Sequence, residues 1–316
     1  MRVFITGISG FIGSGLVEYL KHEKGISIFG HSRDFEKTSQ KFKGSRVTLV
    51  PTYSAQIFDE LGIDSVIHLA GIAHDLSNKY KQEDYHKVNF EGTVAIFDAF
   101  AKSSASKFIF LSSIKAAVDS SSSVVTEDVT PHPTSPYGQS KRMAEKYIQE
   151  YNLPESKRAY IFRPVMIHGK GNKGNLNTLF KYLRSGLPYI FGAYKNSRSF
   201  LSADNLHFIL RRFLENDYPS GTYHLADDKP LSTIELIRII SESLGRKPRI
   251  WNIPTGMMDP MSRLTSLLGL PLESMKQKLT ESLVVSNEKL KSVLHEPLPL
   301  DVRTGLLNTL RTFNEQ

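Results

Sequence analysis

Arg2-Val3-Phe4-Ile5-Thr6-Gly7-Ile8-Ser9-Gly10-Phe11-Ile12-Gly13 is the stretch that decides the fold. Its first part, residues 2–6, is a short run rich in β-branched residues that is typical of a buried parallel strand. Three glycines follow at spacing GxxGxxG, and residues 14–21 continue with the periodicity of a helix. A strand, a glycine turn and a helix in this order let a pyrophosphate approach the backbone while the helix N-terminus faces the anion. We therefore predict that a dinucleotide is contacted by Gly7, Gly10, Phe11, Ile12 and Gly13.

Strands and helices go on alternating through the first half of the chain. Further strands are predicted at residues 26–29, 47–51, 66–70, 107–111 and 159–162, and a long amphipathic helix at 85–101. This alternation favours an α/β fold, a Rossmann-like doubly wound parallel sheet. Because ligands bind at the carboxyl ends of such strands, we expect Leu69, Ala70, Gly71 and Ser113 beside the glycine turn. His68 lies inside an apolar strand, so we interpret it as a core residue.

The stretch Ser135-Pro136-Tyr137-Gly138-Gln139-Ser140-Lys141 is the predicted centre of the chemistry. Ser135 is suited to cap a helix, and Pro136 to its first position. Tyr137 and Lys141 are then four residues apart on one helix face. Since a neighbouring ammonium favours the phenolate, we expect Lys141 to lower the pKa of Tyr137 toward the working range. The alternative is an ordinary surface tyrosine with a solvated lysine.

The end of the second strand bears on the choice of dinucleotide. A carboxylate there binds the ribose 2′-hydroxyl of NAD. This chain has Gly30 at the corresponding position, followed by Ser32 and Arg33. A missing carboxylate and an added cation favour a 2′-phosphate, so we predict NADP(H), with NAD as the alternative.

Composition excludes several classes of protein. The 316 residues include no cysteine, which rules out disulfides, thiolate zinc sites and thiol catalysis. We predict no metal, and we expect a cytoplasmic location because the N-terminus has no signal-peptide pattern. Apolar runs such as 108–111 are far too short to insert across a membrane. The net charge of +8 fits phosphorylated ligands, acidic surfaces or a solvated lysine-rich surface. No basic stripe with interleaved aromatic residues stands out, so nucleic-acid binding is not expected.

Taken together, these motifs resemble the extended short-chain dehydrogenase/reductase family, the NAD(P)-dependent epimerases and dehydratases of nucleotide sugars. Residues 111–115, with 171–175 and 186–193, are similar to a bacterial subgroup that makes surface-polysaccharide precursors. That subgroup contains both UDP-sugar 4-epimerases and UDP-4-keto-sugar reductases. The segments that match the family are Thr6-Gly7 to Gly13, His68 to Gly71, Asn89 with Gly92-Thr93, Ser112-Ser113, Pro136-Tyr137 to Lys141, Arg163-Pro164, and Arg198 with Asp204-Asn205-Leu206.

The resemblance implies roles for the residues at the reacting centre. Tyr137 would be the acid/base, Lys141 would hold the nicotinamide ribose, and Ser113 would position the sugar oxygen. Asn89 and Pro164 would add contacts to the dinucleotide.

The resemblance also implies a smaller C-terminal α/β domain that binds the nucleotide sugar. The Rossmann domain would comprise residues 1–165 with a return segment at about 198–228, and the sugar domain 166–197 and 229–316. Asn175 and Arg198 would contact the substrate diphosphate, since charge-assisted bonds to phosphate are strong. Family members are often homodimers through helices that correspond to residues 85–101 and 136–151.

The first functional hypothesis is an NADPH-dependent reductase of a UDP-linked 4-keto-6-deoxy (N-acetyl) sugar, with Tyr137 protonating the C4 oxyanion. The alternative is a UDP-glucose or UDP-N-acetylhexosamine 4-epimerase that keeps a tightly bound NAD. A dehydratase fits less well, because family dehydratases have Asp-Glu where this chain has Ile114-Lys115. A redox-dead sensor that only binds dinucleotide is the remote alternative.

Overall fold

The computed structural model describes residues 1–21, 23–73, 80–172, 174–257 and 279–314. Its strands are β1 (Arg2–Thr6), β2 (Ser27–His31), β3 (Val47–Leu49), β4 (Ser65–His68), β5 (Lys107–Leu111), β6 (Arg158–Pro164), β7 (Met166–His168), β8 (Phe200–Ser202) and β9 (Gly221–Leu225). Its helices are α1 (Phe11–Leu20), α2 (Phe35–Lys41), α3 (Ala55–Glu60), α4 (Gln82–Tyr85), α5 (Gly92–Lys102), α6 (Pro136–Glu150), α7 (Asn175–Arg184), α8 (Ala203–Glu215), α9 (Thr233–Ser243), α10 (Glu288–Leu294) and α11 (Val302–Asn314).

Seven strands form one parallel sheet in the order β3-β2-β1-β4-β5-β6-β9. The chain thus moves outward from β1 in one direction and then from β4 in the other, which leaves a crevice between the carboxyl ends of these two strands. Ile5 is paired with Gly30 on one side and with Ile67 on the other. The predicted α/β, Rossmann-like fold is confirmed.

Helices cover both faces of the sheet, which explains why β1 is apolar at every core position. Val3 and Ile5 belong to a cluster with residues of α1 and α8, whereas Phe4 belongs to a cluster with residues of α3 and α5. Successive side chains of a strand point to opposite faces, so a strand buried on both faces has no polar alternation.

Several predicted boundaries differ from the structure. The expected single helix over 85–101 is α4, then a π-helical segment at His86–Glu91, then α5. The wider π turn is inserted where the buried side chain of Asn89 leaves the helix face to bond to a loop. Helix α1 begins at Phe11 rather than at residue 14, and the strand expected from Arg198 begins at Phe200.

The C-terminal part has its own small parallel pair, β7 with β8, and its own apolar cluster built from α7, α9 and α11. Ser232 and Glu235, three positions apart, predict a capping box at the start of α9. The structure confirms it, because each of the two side chains accepts the other residue's backbone N–H. The sequence also predicts helices with charged faces over residues 255–316; α10 and α11 agree with this, and residues 258–278 lie outside the described residues. The division into two domains stays a prediction.

Candidate active site

The glycine turn lies directly against the end of β4. Gly7 has a φ of +69°, and a Cβ on it would lie 2.7 Å from the Ala70 nitrogen. A Cβ on Gly13 would lie 2.4 Å from the Gly7 carbonyl oxygen. Only glycine fits either position without displacing backbone. No side chain caps α1 at Gly10, so the first backbone N–H groups of the helix face outward, as an anion site requires.

The end of β4 opens the space beside the turn. Leu69 and Ala70 are partly buried and Gly71 is exposed. A Cβ on Gly71 would lie 3.3 Å from the Lys141 Nζ atom. The glycine turn, the end of β4 and Lys141 therefore lie around one crevice at the carboxyl edge of the sheet.

Helix α6 begins as the sequence predicts and directs the tyrosine toward the end of β5. The Ser135 hydroxyl accepts the Gly138 N–H at 3.2 Å, and Pro136 occupies the first helical turn. The Ser113 hydroxyl is near the Tyr137 hydroxyl, close enough to act on the pKa of the tyrosine. Ser113 is buried, and its Oγ accepts the Lys115 N–H at 3.2 Å, which fixes its rotamer.

Lys141 is buried one helical turn further along the same face. Its Nζ donates to the Leu111 carbonyl oxygen at 2.9 Å and lies 4.7 Å from the centre of the Phe110 ring. Burial lowers the pKa of Lys141 to about 8, although the charge of Glu145 acts in the opposite direction. The structure thus places Ser113 near Tyr137, with Lys141 one helical turn further along; the catalytic roles of the three residues stay predictions.

The expected lowering of the tyrosine pKa is wrong for this structure. Burial raises the pKa of Tyr137 to about 12. The Ser113 hydroxyl lowers this pKa, but by less than burial raises it. Tyr85 and Glu145 raise the pKa further. Desolvation disfavours the phenolate more than nearby groups favour it. At neutral pH, Tyr137 is therefore a neutral hydroxyl that can donate a proton.

Asn89 connects the elements around the crevice. Its side-chain oxygen accepts the Ile72 N–H at 2.8 Å, and its side-chain nitrogen donates to the Ile72 carbonyl at 3.0 Å and to the Ser140 hydroxyl at 3.1 Å. Asn89 thereby holds the loop after β4 against α6. Its predicted contact with a dinucleotide stays a prediction.

The interpretation of His68 as a core residue agrees with its surroundings. Its two ring nitrogens bond to the hydroxyls of Thr6 at 2.6 Å and Thr93 at 3.0 Å, and Thr93 donates to the Asn89 carbonyl at 2.6 Å. Burial, aided by the charge of Lys141, lowers the pKa of His68 to about 3. The ring stays neutral and ties β1 and β4 to the start of α5.

A buried ion pair lies behind the reacting groups, and sequence reasoning did not assign it a role. Glu145 is fully buried and accepts two bonds from the Arg163 guanidinium at 2.9 and 2.6 Å. It also accepts the Ser112 hydroxyl at 2.6 Å. The available signal was its position four residues after Lys141 on the same helix face.

At the end of β2, the structure places polar and cationic groups near the turn. The Ser9 and Ser32 hydroxyls are 3.1 Å apart, and Arg33 is exposed. Lys41, which the sequence did not single out, donates from its Nζ to the Ser9 carbonyl at 2.8 Å. Asp34, the carboxylate that follows Arg33, caps α2 by accepting the Lys37 N–H at 3.1 Å.

The remaining predicted residues lie further along the chain. Pro164 is buried at the carboxyl end of β6. Asn175 is exposed at the first position of α7, and Arg198 is partly buried just before β8, where burial lowers its pKa. Phe11 extends from the glycine turn to the loop before α7, where a Cβ on Gly169 would lie 3.4 Å from its ring. The diphosphate contacts of Asn175 and Arg198 stay predictions.

The described residues bear on two further features, a metal site and a membrane-spanning helix. Among them, no group of three or more histidine, aspartate and glutamate side chains is placed to hold a metal ion. The same residues form no helix that combines the length and apolar character needed to cross a bilayer.

Comparison with known proteins agrees with this geometry. The family model described as the NAD dependent epimerase/dehydratase family matches residues 3–226. A UDP-glucose 4-epimerase of Vibrio cholerae is 28% identical over 301 residues, which covers 88% of this chain and 89% of that protein. A second relative, from Escherichia coli O157:H7, is named N-acetyl-alpha-D-glucosaminyl-diphospho-ditrans,octacis-undecaprenol 4-epimerase. It is 28% identical over 278 residues, which covers 84% of this chain and 81% of that protein.

Among solved structures, the UDP-glucuronic acid 4-epimerase of Bacillus cereus in complex with NAD superposes with a TM-score of 0.78. The alignment covers 100% of this chain and 99% of that one at 19% identity. This likeness independently supports the fold.

Proposed function

The chain belongs to the NAD-dependent epimerase/dehydratase family, and from that premise we propose that it moves a hydride to or from C4 of a UDP-linked sugar. Three observations support this: the glycine turn that a Cβ would fill, the Ser113 hydroxyl near Tyr137, and the buried Lys141 beside Gly71. Two of the relatives that span most of the chain are, by their names, 4-epimerases of sugars attached to a diphosphate. Other relatives of similar coverage are named as 3-beta-hydroxysteroid dehydrogenases, so the sugar is part of the proposal.

Each residue has a distinct part in the proposed reaction. A bound nicotinamide would supply or accept the hydride. Ser113 holds the C4 oxygen of the sugar, and Tyr137 gives that oxygen its hydroxyl proton or takes it back. The Lys141 ammonium compensates the negative charge that develops on Tyr137 when the proton leaves. The Glu145–Arg163 pair holds α6 against the ends of β5 and β6, and so keeps Tyr137 and Lys141 in position.

We propose a net reductase: a UDP-4-keto-6-deoxy (N-acetyl) sugar is reduced at C4 by NADPH. The observation that carries this choice is the end of β2, where Ser32, Arg33 and Lys41 stand and the carboxylate of Asp34 is used to cap α2. Two cations beside a carboxylate that already caps a helix suit a ribose 2′-phosphate better than a ribose 2′-hydroxyl.

A 4-epimerase with bound NAD is the second candidate, and the names of the relatives favour it. In that reaction Tyr137 takes the proton of the C4 hydroxyl. After the keto sugar has rotated in the site, the same tyrosine returns the proton. The residues required are the same as for reduction. What differs is whether the dinucleotide is exchanged after each turnover.

The deciding experiment follows NADPH absorbance with purified protein and a UDP-4-keto-6-deoxy sugar. Consumption of NADPH with formation of a UDP-6-deoxy sugar is the expected result. If no 4-keto substrate is reduced but UDP-glucose and UDP-galactose, or their N-acetyl forms, interconvert without added cofactor, the reductase proposal is wrong and the epimerase stands. Dinucleotide binding with neither activity would indicate the redox-dead sensor.

A further inference from the structure

An exposed apolar surface lies in the C-terminal part of the chain, away from the residues of the proposed reaction. Trp251 is 54% exposed and Leu187 is 51% exposed. Met257, further along the same segment, is 64% exposed. Trp251 is also the single tryptophan of the 316 residues. An indole that exposes more than half of its area to water is typical of a surface that binds a partner.

Backbone hydrogen bonds bring the segments of Leu187 and Trp251 together. Tyr189 donates its N–H to the Arg249 carbonyl at 2.8 Å, and Trp251 donates to the Tyr189 carbonyl at 2.8 Å. The Tyr189 and Phe191 side chains are buried in the apolar cluster of α7, α9 and α11. The buried aromatic rings anchor this strand-like pair, so the exposed side chains stand on a fixed support.

Arginine side chains make further hydrogen bonds between the same two segments. Arg246 donates from Nη1 to the Arg184 carbonyl at 2.8 Å, and Arg249 donates from Nη1 to the Gly186 carbonyl at 3.0 Å. All three arginines are exposed, so each guanidinium still presents N–H groups to the solvent. The cations therefore lie around the apolar residues.

The charge of this surface is of one sign. Residues 181–195 and 244–257 contain no aspartate or glutamate. The nearby carboxylate of Glu242 is paired with Arg303 at 2.6 Å. The cations of the two segments are Lys181, Arg184, Lys195, Arg246, Lys247 and Arg249.

This combination matches one partner chemistry best. Tryptophan has an apolar body and one polar N–H, and it concentrates at the headgroup level of bilayers. Basic side chains around it are attracted to anionic lipids. A track for single-stranded nucleic acid would instead present several aromatic rings along a basic groove. An exposed leucine and a lone exposed indole on two paired segments fit the boundary of a lipid layer better.

We propose that the surface formed by Leu187, Trp251, Arg184, Arg246, Lys247 and Arg249 binds peripherally to an anionic phospholipid bilayer, with the Trp251 indole at the headgroup level. Binding of this kind needs no spanning helix, because it combines shallow burial of apolar side chains with electrostatic attraction. The proposal does not depend on the proposed sugar chemistry.

The single tryptophan makes the test direct. Full-length protein is titrated with vesicles of phosphatidylcholine that contain roughly one-third phosphatidylglycerol, and tryptophan emission is recorded. The expected result is a shift to shorter wavelength with anionic vesicles, quenching by brominated acyl chains, and loss of both at high salt. Pure phosphatidylcholine vesicles should give little shift. No shift and no co-sedimentation with anionic vesicles at low salt would overturn the proposal.

Variants locate the contact, and co-sedimentation replaces fluorescence where the indole is removed. Trp251→Ser should abolish most binding, whereas Trp251→Phe should retain it because the ring still inserts. Lys247→Glu, an exposed position, should weaken vesicle binding by more than tenfold, since about fivefold is expected per charge removed and the sign is reversed. The matched controls are Val124→Ser and Lys24→Glu, which change exposed residues outside the helices of the expected dimer and should bind like the unaltered protein.

Two outcomes would reassign the surface. If Trp251→Ser and Lys247→Glu bind vesicles like the controls, any membrane contact lies elsewhere and the proposal is wrong. If the protein binds a labelled single-stranded RNA through these residues but no vesicle, the surface is a nucleic-acid site. Far-UV circular dichroism and dinucleotide binding of each variant report whether it has folded.

Discussion

The two ends of the proposed dinucleotide site differ in how their functional groups are held. At the reacting end, Lys141 is buried and Tyr137 lies near Ser113. Burial raises the pKa of Tyr137 to about 12 and lowers the pKa of Lys141 to about 8. At the adenosine end, Arg33 and Lys41 are exposed. One end therefore controls proton chemistry through desolvation, and the other supplies charge that solvent partly screens.

This difference predicts which measurements each end should change. A substitution among buried groups removes an interaction that acts in the transition state, so it should lower kcat. A substitution among exposed cations removes attraction to a ligand group that does not react, so it should change the KM for one cofactor. Four experiments can confirm or break this comparison.

The largest effect is expected for Tyr137→Phe. Loss of the hydroxyl removes the proton donor, and kcat should fall by between about 10²- and 10⁴-fold. The dissociation constant for the dinucleotide, measured by fluorescence titration, should change little. Tyr147→Phe is the matched control: it removes a hydroxyl from the same helix, where that hydroxyl bonds to Asp98 rather than to Ser113. A similar loss of kcat in both variants would mean that Tyr137 has no special role.

Arg163→Met is expected to have the next largest effect, on folding. It leaves the buried Glu145 carboxylate with only the Arg142 guanidinium, whose Nη1 lies 3.4 Å from Oε2. The free energy of unfolding should fall by about 3 kcal/mol. The double variant Glu145→Met with Arg163→Met removes both charges and should recover most of that loss. Chemical denaturation of both variants measures it. If the double variant is as unstable as the single one, the pair does not act as a unit.

The third experiment concerns pH. Because burial lowers the pKa of Lys141 to about 8, the lysine is charged below this pH and loses its proton above it. If the charge is needed, kcat/KM should fall by about tenfold for each pH unit above 8. Lys141→Arg keeps its charge to much higher pH and should move the alkaline limb upward, even if its rate is lower. An unchanged limb in that variant would assign the titration to another group.

The smallest effect is expected at the adenosine end. Arg33→Ala and Lys41→Ala should each raise the KM for NADPH by about tenfold, and leave the KM for NADH and the kcat nearly unchanged. Initial rates with both cofactors measure this. Lys37→Ala, on the exposed side of α2, is the control for a general loss of positive charge. Equal changes for NADPH and NADH would reject both residues as ligands of a 2′-phosphate.

Local chemistry explains which parts could be predicted from the sequence. The start of α6 at Ser135 and Pro136 and the capping box at Ser232 and Glu235 depend on residues within four positions of each other. The strand–glycine–helix order around Gly7 has the same property. Such features do not require knowledge of the rest of the chain, because each set of bonds is made within one segment.

Other features depend on contacts between distant segments. Lys41 is 32 residues from Ser9, and Arg163 is 18 residues from Glu145. The π-helical segment forms where Asn89 bonds to Ile72, 17 residues earlier. No short sequence pattern predicts these partners, because they come together only when the helices pack on the sheet.

The sequence by itself thus determined the parallel sheet, the dinucleotide turn and the placement of Tyr137 and Lys141 on one helix face. Only the tertiary structure decided the protonation states of that pair. The spacing alone suggested a tyrosine with a lowered pKa, and the folded protein has one with a raised pKa. The physical reason is desolvation: helical spacing places two groups together, but the amount of water around them depends on everything that packs over them.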